Sequence, residues 1–340
     1  MRSQAIRLPT AGGKQALLFP ECRVVDSDGF DVEPGATGEL LLRGETVIAR
    51  KNDQYGESII AVVTLNEGAT LTLEELRAVL EPAGEWPLRD YVTEATNARL
   101  RQPQPQWPSL VRERIASVCE DDDLNYTVLA MLLLEQHGDS FPSADVRRQW
   151  LYHLPILATF GPERTQLIAA AAAHLVTAPT QDDTWADVLN PYDEHCGALI
   201  RADAYGYACP GDPWRAATLA YRDAITTHRR TGVYSTMFIA AAIASALVSE
   251  PDDRLGPFHL ALDVVPPESR FAEIVRRSLL EVEAATDWLD GYGRIHGRYA
   301  AYSHCQVYQE IGTLFVTARF ATDVGDGIGL QVCQGNDTDS

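Results

Sequence analysis

The chain has 340 residues, is 46% hydrophobic and 22% charged, and carries a formal net charge of −20. It is long and apolar enough for a sizeable core and two domains, which excludes a disordered chain. A nucleic-acid partner would call for a basic stripe, which argues against one here; divalent cations and plain solubility suit so acidic a surface.

The N-terminal MRSQAIRLPT has no apolar core and does not read as a signal peptide. Cys22, Cys119, Cys196, Cys209, Cys305 and Cys333 form no C-x-x-C pair. Scattered thiols of this kind fit a reducing cytosol, so the expected location is cytoplasmic. QLIAAAAAHLVTA and MFIAAAIASALV fall short of the roughly 20 residues a membrane span needs, and they predict buried helices with no membrane partner.

In chain order, residues 1–84 predict a small β-rich (α+β) segment. Cys22–Val25 and Glu39–Leu42 are β-rich runs, with turn signals at Asp28-Gly29 and Pro34-Gly35 between them, and SIIAVVTL is a third run. Thr72 with Glu75 spells a capping box for a short helix. From about Glu85 the pattern turns helical, so residues 85–340 predict a mainly α domain. DDDLNYTVLAMLLLEQHG opens on acids and closes at Gly138, Asp212 and Pro213 mark another helix start, and LRQPQPQWPSL reads as a loop.

Two acidic clusters bracket the helical part: Glu120 to Asp123, and Asp337, Thr338, Asp339 and Ser340. Hard cations such as Mg²⁺ want carboxylate and hydroxyl oxygens, and a helix start favours the ionised carboxylate that a metal requires. The same residues equally read as helix caps, a solvated face and a polar tail. Arg201 and Asp203 read as a buried ion pair. His304 with Cys305 is the pattern of a thiol nucleophile or of plain helix packing. GYGRIHGRY is glycine-rich but does not follow a strand, as a phosphate-binding loop would. Tyr126, Tyr302 and Tyr308 read as core residues or as a platform for a base.

EDDDLNYTVLAMLLLEQHG and the terminal GNDTDS, with GALIRAD and RDAITTH between them, resemble the metal motifs and intervening segments of the ADP-ribosylglycohydrolase family. The resemblance covers roughly Glu85 to Ser340. It implies an all-α fold with a two-Mg²⁺ centre (Mn²⁺ as a substitute) and hydrolysis of the N- or O-glycosidic bond of ADP-ribosyl conjugates. The expected partner is an ADP-ribosylated protein or a small conjugate. By motif, the metal ligands are Asp121, Asp122, Asp123, Asp337, Asp339 and Ser340, and the catalytic set is Asp122, Asp123 and Asp339. Leu124 stands where the family has a threonine, and His228 falls at a position near the cleft or at a plain helix end. The family's first helix and the helix after its last motif are not found, so the resemblance implies a domain truncated at GNDTDS. Two readings follow: a hydrolase impaired by that truncation, or a non-catalytic metal- or ADP-ribose-binding remnant.

Residues 8–80 resemble pieces of adenylate-forming enzymes, through FPECRVVDSDGFDVEPGATGELLLRG and DQYGESIIAVVTLNEGATLTLEELRAVL. The phosphate loop and catalytic lysine segment of that family are missing, which implies a non-catalytic module.

Overall fold

The computed structural model describes residues 72–100, 110–117, 122–176, 186, 190–302 and 305–335, together with the backbone of four strands. Two compact units divide the chain, Met1–Ala69 and Thr70–Ser340.

In the first unit, β1 (Cys22–Val25), β2 (Glu39–Leu42), β3 (Glu45–Asn52) and β4 (Gly56–Val62) form an antiparallel sheet in sequence order. Cys22 stands opposite Leu42, Leu42 opposite Glu45, and Asn52 opposite Gly56. β1 and β2 are the first two runs expected from sequence, and β4 overlaps the third. The turn signals at Asp28-Gly29 and Pro34-Gly35 lie outside the described residues.

The second unit is helical. Helix α1 (Leu73–Leu80) opens on the expected capping box: the Glu75 N–H donates to Thr72 Oγ1 at 3.2 Å, and the Thr72 N–H donates to Glu75 Oε2 at 3.1 Å. After a 3₁₀ turn at Glu81–Ala83 and the short α2 (Glu94–Asn97) come α3 (Asp122–His137), α4 (Ser143–His153) and α5 (Gly161–Val176). Helix α3 ends at Gly138, whose φ of 60° is the left-handed conformation that glycine adopts without strain. A 3₁₀ turn at Cys196–Arg201 leads to α6 (Asp203–Tyr207) and α7 (Pro213–Ala224). Asp212 caps α7 by accepting the Arg215 N–H at 3.1 Å. Then follow α8 (Arg230–Ala246), α9 (Gly256–Ala261), α10 (Arg270–Ala284), α11 (Trp288–Tyr299), α12 (Val307–Phe320) and α13 (Val324–Cys333).

Helix α8 is the axis of this unit. Its alanines allow α7 to approach closely, and Ala240 and Ala244 are buried with Ala216 and Ala220. Phe238 anchors one core with Phe271 and Phe315, their rings 5.6 and 6.2 Å from its own. A second core gathers Tyr126, Leu133, Phe141, Trp150 and Tyr205 against the same helix. Fully burying one such side chain contributes about 1.5–3 kcal/mol, so α8 is held from two sides.

GYGRIHGRY lies within α11 and is not a phosphate-binding loop, because continuous helix leaves no open run of amides to cradle an anion. Helices α1 and α13 pack together, with Leu76, Leu80, Leu88 and Cys333 forming a third apolar cluster. There the Leu88 N–H donates to Cys333 Sγ at 3.3 Å, and a Cβ at Gly329 would overlap the Leu88 carbonyl oxygen. Among the described residues no helix is long and apolar enough to cross a membrane.

Candidate functional site

Of the six residues assigned to metal, Asp122 and Asp123 are described; Asp121, Asp337, Asp339 and Ser340 lie outside the described residues. Asp122 and Asp123 form the first turn of α3 and are half-buried, while Leu124 next to them points outward at 46% exposure. One turn further on, Tyr126 and Thr127 face inward. Thr127 Oγ1 donates to Asp203 Oδ1 at 3.0 Å and ties α3 to the start of α6. Among the described residues no group of three or more His, Cys, Asp or Glu stands ready to hold a metal ion.

Beside this turn lies a buried ionic cluster centred on Arg201. Its Nη1 is 2.6 Å from Glu163 Oε1 of α5, and its Nε is 2.5 Å from Asp223 Oδ1 of α7. Nη1 also donates to the Gly197 carbonyl and Nη2 to Thr227 Oγ1, both at 2.6 Å. Tyr205 donates its phenol proton to Asp223 Oδ2 at 2.6 Å. The guanidinium carbon sits 4.8 Å from the Trp150 ring and 5.4 Å from the Tyr126 ring. Arg201 is therefore satisfied by two carboxylates, a carbonyl, a hydroxyl and two ring faces, as a buried cation must be.

This corrects the pairing of Arg201 with Asp203. Asp203, the first residue of α6, accepts from Thr127 and from the Ala204 N–H instead. Tyr126 is a core residue stacked on Trp150 at 5.1 Å, not an exposed platform. His304 lies outside the described residues. Cys305 uses its carbonyl to accept the Cys196 N–H at 2.9 Å, joining the loop before α12 to the Cys196–Arg201 turn.

The electrostatics couple the cluster to the α3 turn. Burial pushes the Glu163 carboxyl above its usual range, Arg201 opposes this, and the charge of Asp122 adds to the rise. Burial, reinforced by the charge of Glu163, likewise raises the Tyr126 phenol, and Asp122 and Asp123 act in the same direction. Tyr126, whose ring lies 5.4 Å from the Arg201 guanidinium, is the link between the α3 turn and the cluster. His228 joins it: fully buried, with Nδ1 2.8 Å from Thr227 Oγ1 and 3.5 Å from Glu163 Oε1. Burial, and then the positive charge of Arg201, hold the imidazole well below its usual pKa and so neutral. Its Nε2 and the Tyr126 hydroxyl are buried without a hydrogen-bond partner among the described residues. Glu163 and Asp223 passed unread as site residues, because their link to Arg201 spans 38 and 22 positions and leaves no local pattern.

Among the described residues the second unit is helical, with paired aspartates opening one helix beside a buried Arg–carboxylate cluster, which places that unit among all-helical proteins. A model of the ADP-ribosylglycohydrolase family matches residues 64–340, and the chain belongs to that family. No curated protein and no solved structure matches it.

Proposed function

We propose that the chain hydrolyses the N- or O-glycosidic bond of ADP-ribosyl conjugates, on a protein or a small molecule in the cytoplasm, with Mg²⁺ or Mn²⁺ bound. The observation that carries this reading is the α3 turn of Asp122 and Asp123 set against the Arg201 cluster, with the Tyr126 ring 5.4 Å from the guanidinium and Thr127 bonded to Asp203, in a chain whose family match spans both acidic motifs.

Asp122 and Asp123 sit where the α3 dipole favours the ionised carboxylate. Together with Asp121, Asp337, Asp339 and Ser340 they would make an all-oxygen donor set, which suits a hard divalent cation and not a soft one. When bound, such cations supply electrostatic stabilisation for glycosidic cleavage, orienting the ribose hydroxyls and a water as positive charge builds on the sugar. The chain's own contribution is rigidity. The Thr127–Asp203 hydrogen bond fixes the α3 turn, and Arg201 locks α5 and α7 against the Cys196–Arg201 turn. The orphan His228 Nε2 and Tyr126 hydroxyl support a site built for a polar ligand, since an unpartnered buried polar atom costs about 1–3 kcal/mol.

The test measures free ADP-ribose released from peptides modified on arginine or on serine, in Mg²⁺ and in EDTA. Release that requires Mg²⁺ and falls at least 100-fold in Asp122→Asn/Asp123→Asn supports the reading. Absence of turnover with both peptides, alongside an ADP-ribose-dependent rise in melting temperature, would replace it with the binding-only reading.

A further inference from the structure

Helices α10, α11 and α12 frame a second pocket of about 190 Å³ that shares no residue with the site above. Arg270, Arg277 and Arg298 line it against a single carboxylate, Glu273. In a chain of net charge −20, three guanidiniums face one concavity, each beside a carboxylate partner. Its remaining wall is Ile274 with three tyrosines, Tyr299, Tyr302 and Tyr308. The Tyr302 and Tyr308 rings meet edge to face with centroids 4.4 Å apart, and Tyr302 is 47% exposed.

The arginines are held in place but not used up. Arg270 Nη1 donates to the Tyr308 hydroxyl at 3.0 Å and stands 3.7 Å from Glu194 Oε2. Arg277 Nη2 is 2.6 Å from Glu273 Oε1, and Arg298 pairs with Glu281. Each guanidinium carries five N–H donors, and one carboxylate engages at most two of them in a fork. Glu194 and Glu281 are not among the lining residues, so the N–H donors these pairs leave over are what the wall offers an anion.

The geometry points to a nucleotide site: phosphate oxygens among Arg270, Arg277 and Arg298, and a purine ring against Tyr302. Guanidiniums match phosphate oxygens in pairs, and an exposed aromatic ring offers stacking that tolerates any base. The volume suits this division. An apolar cavity of ~150 Å³ admits a benzene ring, so a pocket of about 190 Å³ holds the phosphates among the arginines while the purine lies over the exposed face of Tyr302 at its open side. The site stands independently of the hydrolytic reaction proposed above.

Calorimetric titration of the whole chain with ADP in EDTA tests this, since EDTA removes any divalent ion that could bridge ADP to the aspartates. Binding should persist in Asp122→Asn/Asp123→Asn and weaken at least tenfold in both Arg298→Ala and Tyr302→Ala. It should strengthen severalfold in Glu273→Gln, which removes the competing carboxylate. Pyrophosphate should depend on Arg298 and not on Tyr302, and adenosine the reverse. Circular dichroism checks that the variants, whose side chains are partly or largely exposed, keep the fold. No ADP binding in EDTA, or binding unchanged in both Arg298→Ala and Tyr302→Ala, overturns the proposal. So does binding lost only in the aspartate variant, which would move ADP to the acidic site.

Discussion

Arg201 Nη1 lies 2.6 Å from Glu163 Oε1, with side chains 0% and 4% exposed. A pair so far from water is costly to break on one side, because the remaining charge has no solvent to return to. Arg201→Met strands both Glu163 and Asp223 and should lower unfolding free energy by about 3–5 kcal/mol in urea denaturation. Adding Glu163→Gln and Asp223→Asn to Arg201→Met should recover part of that loss. A triple variant no more stable than the single would show that the cluster is not the cause.

Gly197 is held to glycine by this same pair. A Cβ there would lie 2.7 Å from both Glu163 carboxylate oxygens, which Arg201 holds in place. Gly197→Ala should therefore cost about 1–3 kcal/mol. Gly293, within α11, has open space where a Cβ would go, and Gly293→Ala should stabilise by about 0.5–1 kcal/mol. Paired thermal melts of the two variants should move in opposite directions.

His228 makes stability depend on pH. Its folded pKa is depressed, so the neutral imidazole contributes stability that is complete above its unfolded value of 6.5 and lost as pH falls below it. Glu163, whose carboxyl is raised, acts with the opposite sign above its unfolded value of 4.5. The comparison that isolates the histidine is wild type against His228→Gln between pH 7.5 and 5. Wild type should lose more melting temperature on acidification. Parallel curves would mean that His228 does not titrate in this range.

Thr127→Val removes the donor to Asp203 at nearly constant shape. Stability should fall by about 1 kcal/mol. On the proposed function, the Mg²⁺ concentration giving half-maximal ADP-ribose release should rise while release at saturating Mg²⁺ changes less, because the Thr127–Asp203 bond steadies the α3 turn that carries Asp122 and Asp123.

What was legible in the sequence was local. The Thr72–Glu75 capping box, the Asp212 cap with Pro213 after it, and the acidic start and glycine stop of α3 are each written within a few residues and each is present. The buried axis was legible too in the apolar run MFIAAAIASA, though Leu247 and Val248, which continue that run, lie past the end of α8 and are exposed. The partners of Arg201 were not. Asp203 was the nearest acid in sequence, yet it bonds Thr127 of α3, and the partners of Arg201 arrive from α5 and α7 by packing of the whole bundle. Likewise, the pocket among Arg270, Arg277, Arg298 and Tyr302 is assembled by three helices, with arginines that each look like ordinary surface residues when read one at a time.

The packing of α1 on α13, sealed by Leu88 against Gly329 and Cys333, sets an order of events during synthesis. Leu88 is translated 245 positions before Cys333. On a ribosome adding roughly 5–20 residues per second, Leu76, Leu80 and Leu88 wait tens of seconds for the surface that covers them. Until α13 emerges, this apolar edge is available to chaperones, and a stalled or shortened nascent chain would keep it uncovered.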